Sequence, residues 1–382
     1  MVSLGLRFLL TLSVVLAAVA TRADEPRSPE ARGTAGSSGN GNRFERRSLP
    51  AVQSAAPGEE NAEAQSPRRR PVPAASDVLE DLQRSIAVRT MGGRQFWGDV
   101  SFFQNYRIQR NVFTGHYRLL DAEDQRQAWG SLDDCRKRLE EIRIERKLPP
   151  MKGKAVIAIH GVLRSSKSFV PMLDTLKKAG YQVFGFDYPS TQVQIPEAAE
   201  YLHSCIQSLE GVEEINLVVH SMGGLVVRSY LGMHHDDRIH RMVMLGVPNK
   251  GAEMADLMKR NLLFRMIYGP AGQQLVTDPK GLIASLPTPE FDFAVIAGGR
   301  GDERGFNPLI EGDDDGTVRV VSTRLPGACD FATVKCLHSF LMRDPSVAEM
   351  TVRFLNDGQL RAQGDREPIV AAPPDAAPIV VP

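Results

Sequence analysis

The stretch Ile215-Asn-Leu-Val-Val-His-Ser-Met-Gly-Gly-Leu-Val-Val-Arg228 leaves the chain little choice of fold. Ile215 to Val219 is the apolar, β-branched run expected of a strand covered on both faces. His220 to Gly224 allows only an abrupt turn, and Leu225, Val226, Val227, Tyr230 and Leu231 predict a helix buried on most sides. So tight a turn has no room for large side chains, which accounts for Gly223 and Gly224. It lifts the Ser221 hydroxyl above the sheet and aims a helix N-terminus at whatever that hydroxyl attacks. The same residues also describe a plain glycine-rich turn, so the serine needs partners from elsewhere in the chain.

Around this stretch, strand and helix patterns alternate from Lys154 onward. Strands are expected at 155–159, 182–186, 215–219, 242–245 and 293–297, with helices from about Ser168, over 195–209 and over 347–355. Such alternation calls for a mainly parallel sheet with helices on both faces, an α/β class whose ligands bind beyond the carboxyl ends of the strands. Before it, 77–150 reads as an N-terminal accessory layer. It has a short helix near 79–86, strands at 100–103, 106–111 and 116–120, and a helix capped by Ser131.

Both ends differ in character. Residues 1–23 read as a secretory signal, with Arg7 before an apolar run from Phe8 to Ala20 and small residues for cleavage, so the protein is expected to be exported. Residues 24–76 are rich in Pro, Ser, Gly and Ala and predict a flexible linker, in which Arg68 to Arg70 is a solvated charge cluster. Residues 358–382 read as a tail. A formal net charge of +0 argues against nucleic acid as a partner. Oligomeric state is not legible.

A serine hydroxyl needs a base within hydrogen-bond reach and a carboxylate to orient that base. Of eight histidines, His160 and His220 read as loop braces, and His203, His234, His235 and His240 as helix or surface residues. His116 belongs to the lead-in, so His338 remains, between the last expected strand and the last helix. Glu311-Gly-Asp-Asp-Asp-Gly-Thr-Val318 offers the carboxylate, with Asp313 and Asp314 as a solvated acidic turn. As a calcium loop it fails, because its first position is Glu311 and its twelfth is Ser322; no metal and no cofactor are expected.

His220-Ser-Met-Gly-Gly224 between strand and helix resembles the nucleophile elbow of the α/β-hydrolases, bacterial secreted lipases and esterases in particular, although Val219 stands where the pattern has its first glycine. The resemblance covers about 154–357 and implies an α/β-hydrolase domain over 151–357. It implies Ser221 as nucleophile, Asp315 as the acid (from Asp-Gly-x-Val), His338 as the base, and Met222 and Val162 N–H groups as the oxyanion hole. It further implies hydrolysis of carboxylic esters with lipid or other apolar acyl groups, and transient contact with a lipid surface.

Residues 252–286, with nine large apolar side chains, read either as a buried helix or as a cap over the serine. A disulfide between Cys329 and Cys336 is expected to tie the acid and base loops together. Acyl transfer or amide hydrolysis on the same residues, and a non-catalytic binding protein on the same scaffold, remain open at this level.

Overall fold

The computed structural model describes residues 95–258 and 262–371, with backbone alone at 253, 257 and 262–267. The expected signal segment, the linker, the helix near 79–86 and the end of the tail lie outside the described residues.

Two sheets organise the described chain. Strands β1 (Trp97–Phe103), β2 (Tyr106–Asn111), β3 (Tyr117–Leu120) and β4 (Arg126–Gly130) form an antiparallel meander, followed by helix α1 (Leu132–Glu145). Ser131 and Asp134 cap α1 reciprocally, each side chain accepting from the other's backbone N–H. The second sheet is parallel, in the order β10-β9-β8-β7-β5-β6. Its strands are β5 (Gly153–Ile159), β6 (Gln182–Phe186), β7 (Val212–His220), β8 (Ile239–Leu245), β9 (Phe293–Gly299) and β10 (Asp330–Lys335). Helices α2 (Val170–Lys178), α3 (Ile195–Gln207), α4 (Met222–Met233), α5 (Glu253–Met258), α6 (Leu262–Gln273), α7 (Leu282–Ser285), α8 (Val320–Thr323) and α9 (Pro345–Asp357) connect or follow them.

Alternate residues of each central strand serve opposite layers, as a two-residue period requires. Ile157, Leu217, Val219 and Met244 pack with α3, α4 and the meander, where Phe102 stacks on Phe184 at 5.2 Å between ring centres. Val156, Val218, Val243 and Ile296 pack with Met172 and Leu176 of α2 and with Phe354 and Leu355 of α9. After β5 the chain visits the edge at β6 and returns to the other side at β7. The carboxyl ends of β5 and β7 therefore flank the point where the winding reverses, and a crevice opens at such a point.

Two expectations need correction. Residues 358–371 are not a loose tail, because Asp330 gathers them at the outer edge of the parallel sheet. Its carboxylate accepts from the N–H groups of Leu360 (2.8 Å) and Glu367 (3.0 Å) and pairs with the Arg361 guanidinium at 2.6 Å. Leu360 and Ile369 are buried as a result. Nor do Cys329 and Cys336 form a disulfide, since both thiols are free. They stand at opposite ends of β10, and a strand advancing about 3.3 Å per residue holds their Cα atoms roughly 20 Å apart, against ~7 Å at most for a disulfide.

Candidate active site

Strand β7 ends at His220 and α4 begins at Met222, so Ser221 alone makes the turn, at φ 53° and ψ −127°. A non-glycine residue held there costs about 1–3 kcal/mol, and such strain clusters at functional sites. The surroundings enforce it: Ser221 N–H donates to Leu245 O and Gly224 N–H to Ser221 O, each at 3.0 Å. A methyl group on Gly223 would lie 2.5 Å from Ile159 O, and one on Gly224 would lie 2.5 Å from Val247 Cγ2. Val219 is buried within β7 between Ile159 and Met244 of the neighbouring strands, so the close approaches fall after the serine and not before it.

The acidic loop and the late histidine meet beside this turn. His338 Nδ1 lies 2.7 Å from Asp315 Oδ2, and His338 N–H donates to Asp315 O at 2.8 Å. The other carboxylate oxygen, Oδ1, accepts from Thr317 N–H (3.0 Å) and Val318 N–H (2.8 Å), so Asp315 cannot swing away from the imidazole. Because a carboxylate only accepts, Nδ1 carries the hydrogen and Nε2 is left free to take a proton. Asp313 and Asp314 are not a solvated turn, as expected, but ties within the loop. Asp313 accepts from Arg300 and Gly301 N–H, while the fully buried Asp314 accepts from Asn307 and Gly316 N–H.

The tip of β8 joins the two halves. Leu245 O holds Ser221, while a methyl group on the next residue, Gly246, would stand 3.2 Å from both Asp315 Oδ2 and His338 Nδ1. The loop after β5 closes over the serine from the other side, since a methyl group on Gly161 would stand 2.8 Å from Ser221 Cβ. Val162, next in that loop, is half-buried, and Met222 opens the first turn of α4. The structure thus brings Ser221, Asp315, His338 and Met222, with the Gly161–Val162 loop, to the carboxyl ends of β5, β7 and β8.

With that geometry in hand, the relation to known proteins is direct. Residues 154–266 match the family model described as alpha/beta hydrolase fold. This is an α/β-hydrolase fold. Among curated proteins, the chain is 30% identical over 107 residues to lysosomal thioesterase PPT2-B of Xenopus laevis, covering 26% of this chain and 37% of that one. It is 27% identical over 150 residues to lysosomal thioesterase PPT2 of Rattus norvegicus, covering 33% and 47% respectively. This α/β-hydrolase chain therefore spans less than half the length of either relative. Among solved structures it resembles Bacillus licheniformis lipase BlEst2 in propeptide form, with TM-score 0.45 and 22% identity, over 59% of this chain and 54% of that one.

Three positions around this candidate site carry weight that motif reading does not assign. His220 Nε2 lies 3.0 Å from His338 O, so it donates there and holds the His338 backbone, while His220 Nδ1 is buried and has no hydrogen-bond partner among the described residues. Gly246 leaves the space that Asp315 and His338 occupy. Arg228 of α4 donates to Leu286 O (2.6 Å) and Pro287 O (2.9 Å), tying the helix after Ser221 to the end of the 252–286 segment.

A buried charged network backs the Gly161–Val162 loop. Asp187 accepts from Ser166 N–H and pairs with Arg107 at 2.9 Å, and its own N–H donates to Asp99 at 2.7 Å. Burial pushes Asp99 up to about 7 against the pull of Arg107, whereas Arg107 and His160 hold Asp187 below its ordinary range despite its burial. His160 sits 3.7 Å from Asp187 and stacks on Tyr188, whose hydroxyl donates to His160 O at 2.8 Å. The meander thus braces the loop next to the serine. Among the described residues, no group of three or more His, Cys, Asp or Glu side chains is arranged to hold a metal ion.

Proposed function

We propose that the protein is a serine hydrolase acting on carboxylic esters through an acyl-enzyme. His338 Nε2 takes the Ser221 proton as Oγ attacks the ester carbonyl, and Asp315 stabilises the imidazolium. The negative charge forming on the carbonyl oxygen is met by the N–H groups of Met222 and Val162. His338 then returns the proton to the leaving oxygen as the carbon–oxygen bond breaks, and water repeats the sequence on the acyl-serine.

One observation carries this reading: a serine in a strained turn at a helix N-terminus, with a carboxylate-oriented imidazole (2.7 Å) converging on the same strand tip. Apolar acyl groups are the favoured substrates, on the apolar character of the 252–286 segment, in which Met258 and Tyr268 are half-buried. The likeness to thioesterases extends the substrate class to thioesters. Export by the 1–23 segment and transient contact with a lipid surface complete the reading.

Hydrolysis of p-nitrophenyl esters of graded acyl length by wild type, Ser221→Ala and His338→Ala tests it. Wild type is expected to turn over these esters and each variant to lose about 10⁴-fold or more in kcat. Equal rates in wild type and Ser221→Ala would defeat the proposal.

A further inference from the structure

Arg164, four residues past His160, is half-buried, and Nη2 donates to Ser339 Oγ at 2.7 Å. That neutral hydroxyl is its one side-chain acceptor, and among the described residues it meets no carboxylate. Other enclosed arginines here are held by more than one bond or by a carboxylate: Arg107 by Asp187, Arg238 by Asp236, Arg361 by Asp330, Arg228 by backbone carbonyls, and Arg118 by two bonds to Gln109 Oε1 over the Trp97 ring. A guanidinium offers five N–H donors in a planar fork, so most of Arg164's capacity is unspent.

A second cation lies on the turn that carries Ser339, the acceptor of Arg164. Arg343 is half-buried, also lacks a carboxylate among the described residues, and its charge bears on Arg164. Burial lowers Arg164 below the usual arginine range, Arg343 pushes it further down, and Tyr268 acts in the opposite sense. Two like charges partly out of water are unfavourable without an anion between them. Leu163, just before Arg164, takes φ 58°, so the loop also bears backbone strain at this point.

Their position sets what the anion belongs to. Ser339 and Arg343 lie in the same 3-10 turn as His338, over His338–Arg343, and His338 is the group that protonates the leaving atom. We infer that Arg164 and Arg343 form an anion subsite on the leaving-group side of the serine, taking a phosphate or carboxylate carried by the alcohol or thiol that is released. The inference rests on the hydrolase reading for its location.

The test compares three esters of one acyl group: 4-butanoyloxyphenyl phosphate, 4-butanoyloxybenzoate and the neutral 4-butanoyloxybenzamide. Wild type is expected to favour an anionic ester over the amide in kcat/KM by about 10- to 100-fold, the worth of charge-assisted hydrogen bonds. Which anion gains more tells phosphate from carboxylate. Arg164→Gln and Arg343→Gln should each bring the ratio toward one, Arg164→Lys should keep part of it, and added salt should reduce it in wild type. A wild-type ratio near one, or a ratio unmoved by both glutamine variants, overturns the subsite while leaving the hydrolase reading intact. Calorimetric binding of 4-hydroxyphenyl phosphate reads the subsite even if no ester is cleaved. Binding to wild type that both glutamine variants lose supports it, and binding absent from wild type or equal in all three sinks it.

Discussion

Gly161 faces Ser221 so closely that its missing side chain is a condition of the site. With Ser221 Cβ 2.8 Å and His220 Nδ1 3.2 Å from where a methyl would stand, alanine must push the loop or the serine aside. Gly161→Ala should therefore displace the Val162 N–H from the oxyanion and cut kcat by about 10²–10³-fold, with KM moving much less. Steady-state kinetics on one p-nitrophenyl ester checks this; a fall confined to KM would contradict it. Ser221, His338 and Asp315 could be picked out as candidates because each sits in a short local pattern. What those patterns hide are the positioning contacts: His220 on the His338 carbonyl, Gly246 under the acid–base pair and Arg164 on Ser339. These contacts join residues from 69 to 175 positions apart, and no local motif encodes them.

At the level of elements, the strands buried on both faces announce themselves as apolar runs, and α1 by its capping residues. Two strands at sheet edges do not, although β6, also at an edge, does. β4 (Arg126–Gly130) is exposed or half-buried throughout and carries no alternation of apolar residues. β10 borders the parallel sheet and mixes Asp330, Thr333 and Lys335 with its apolar positions. The segment after α9 failed to declare itself for another reason. Its order comes from one buried carboxylate, Asp330, and not from a hydrophobic period. Asp330→Ala leaves the N–H groups of Leu360 and Glu367 and the Arg361 guanidinium without their acceptor, so it should destabilise the fold by about 3 kcal/mol. Urea denaturation measures this, and a loss below ~1 kcal/mol would show that 358–371 contributes little.

For the molecule as a whole, the buried histidines set the response to acid. Burial holds His220 well below its ordinary value of 6.5, with repulsion from His338 and Arg164 adding to it, and burial likewise lowers His160. A depressed folded-state pKa contributes stability that is fully present above the unfolded value and lost as pH falls beneath it. Stability should thus decline progressively below pH 6.5. Asp99 acts in the other direction, because its raised pKa makes its contribution greatest at low pH and lost as pH rises through about 7. His220→Gln should flatten the acid limb of a plot of urea midpoint against pH between about 5 and 6.5. Parallel curves for variant and wild type would assign the acid limb to other groups.

At this same scale the decisive property is the activation of Ser221 as a nucleophile by the assembled fold. The direct measurement is labelling of the native protein with a fluorophosphonate, followed by mass spectrometry of its peptides. The expected result is a single adduct on Ser221 that is abolished in Ser221→Ala, strongly slowed in His338→Ala and absent after denaturation. A native protein that stays unlabelled, or an adduct on any other residue, would contradict it.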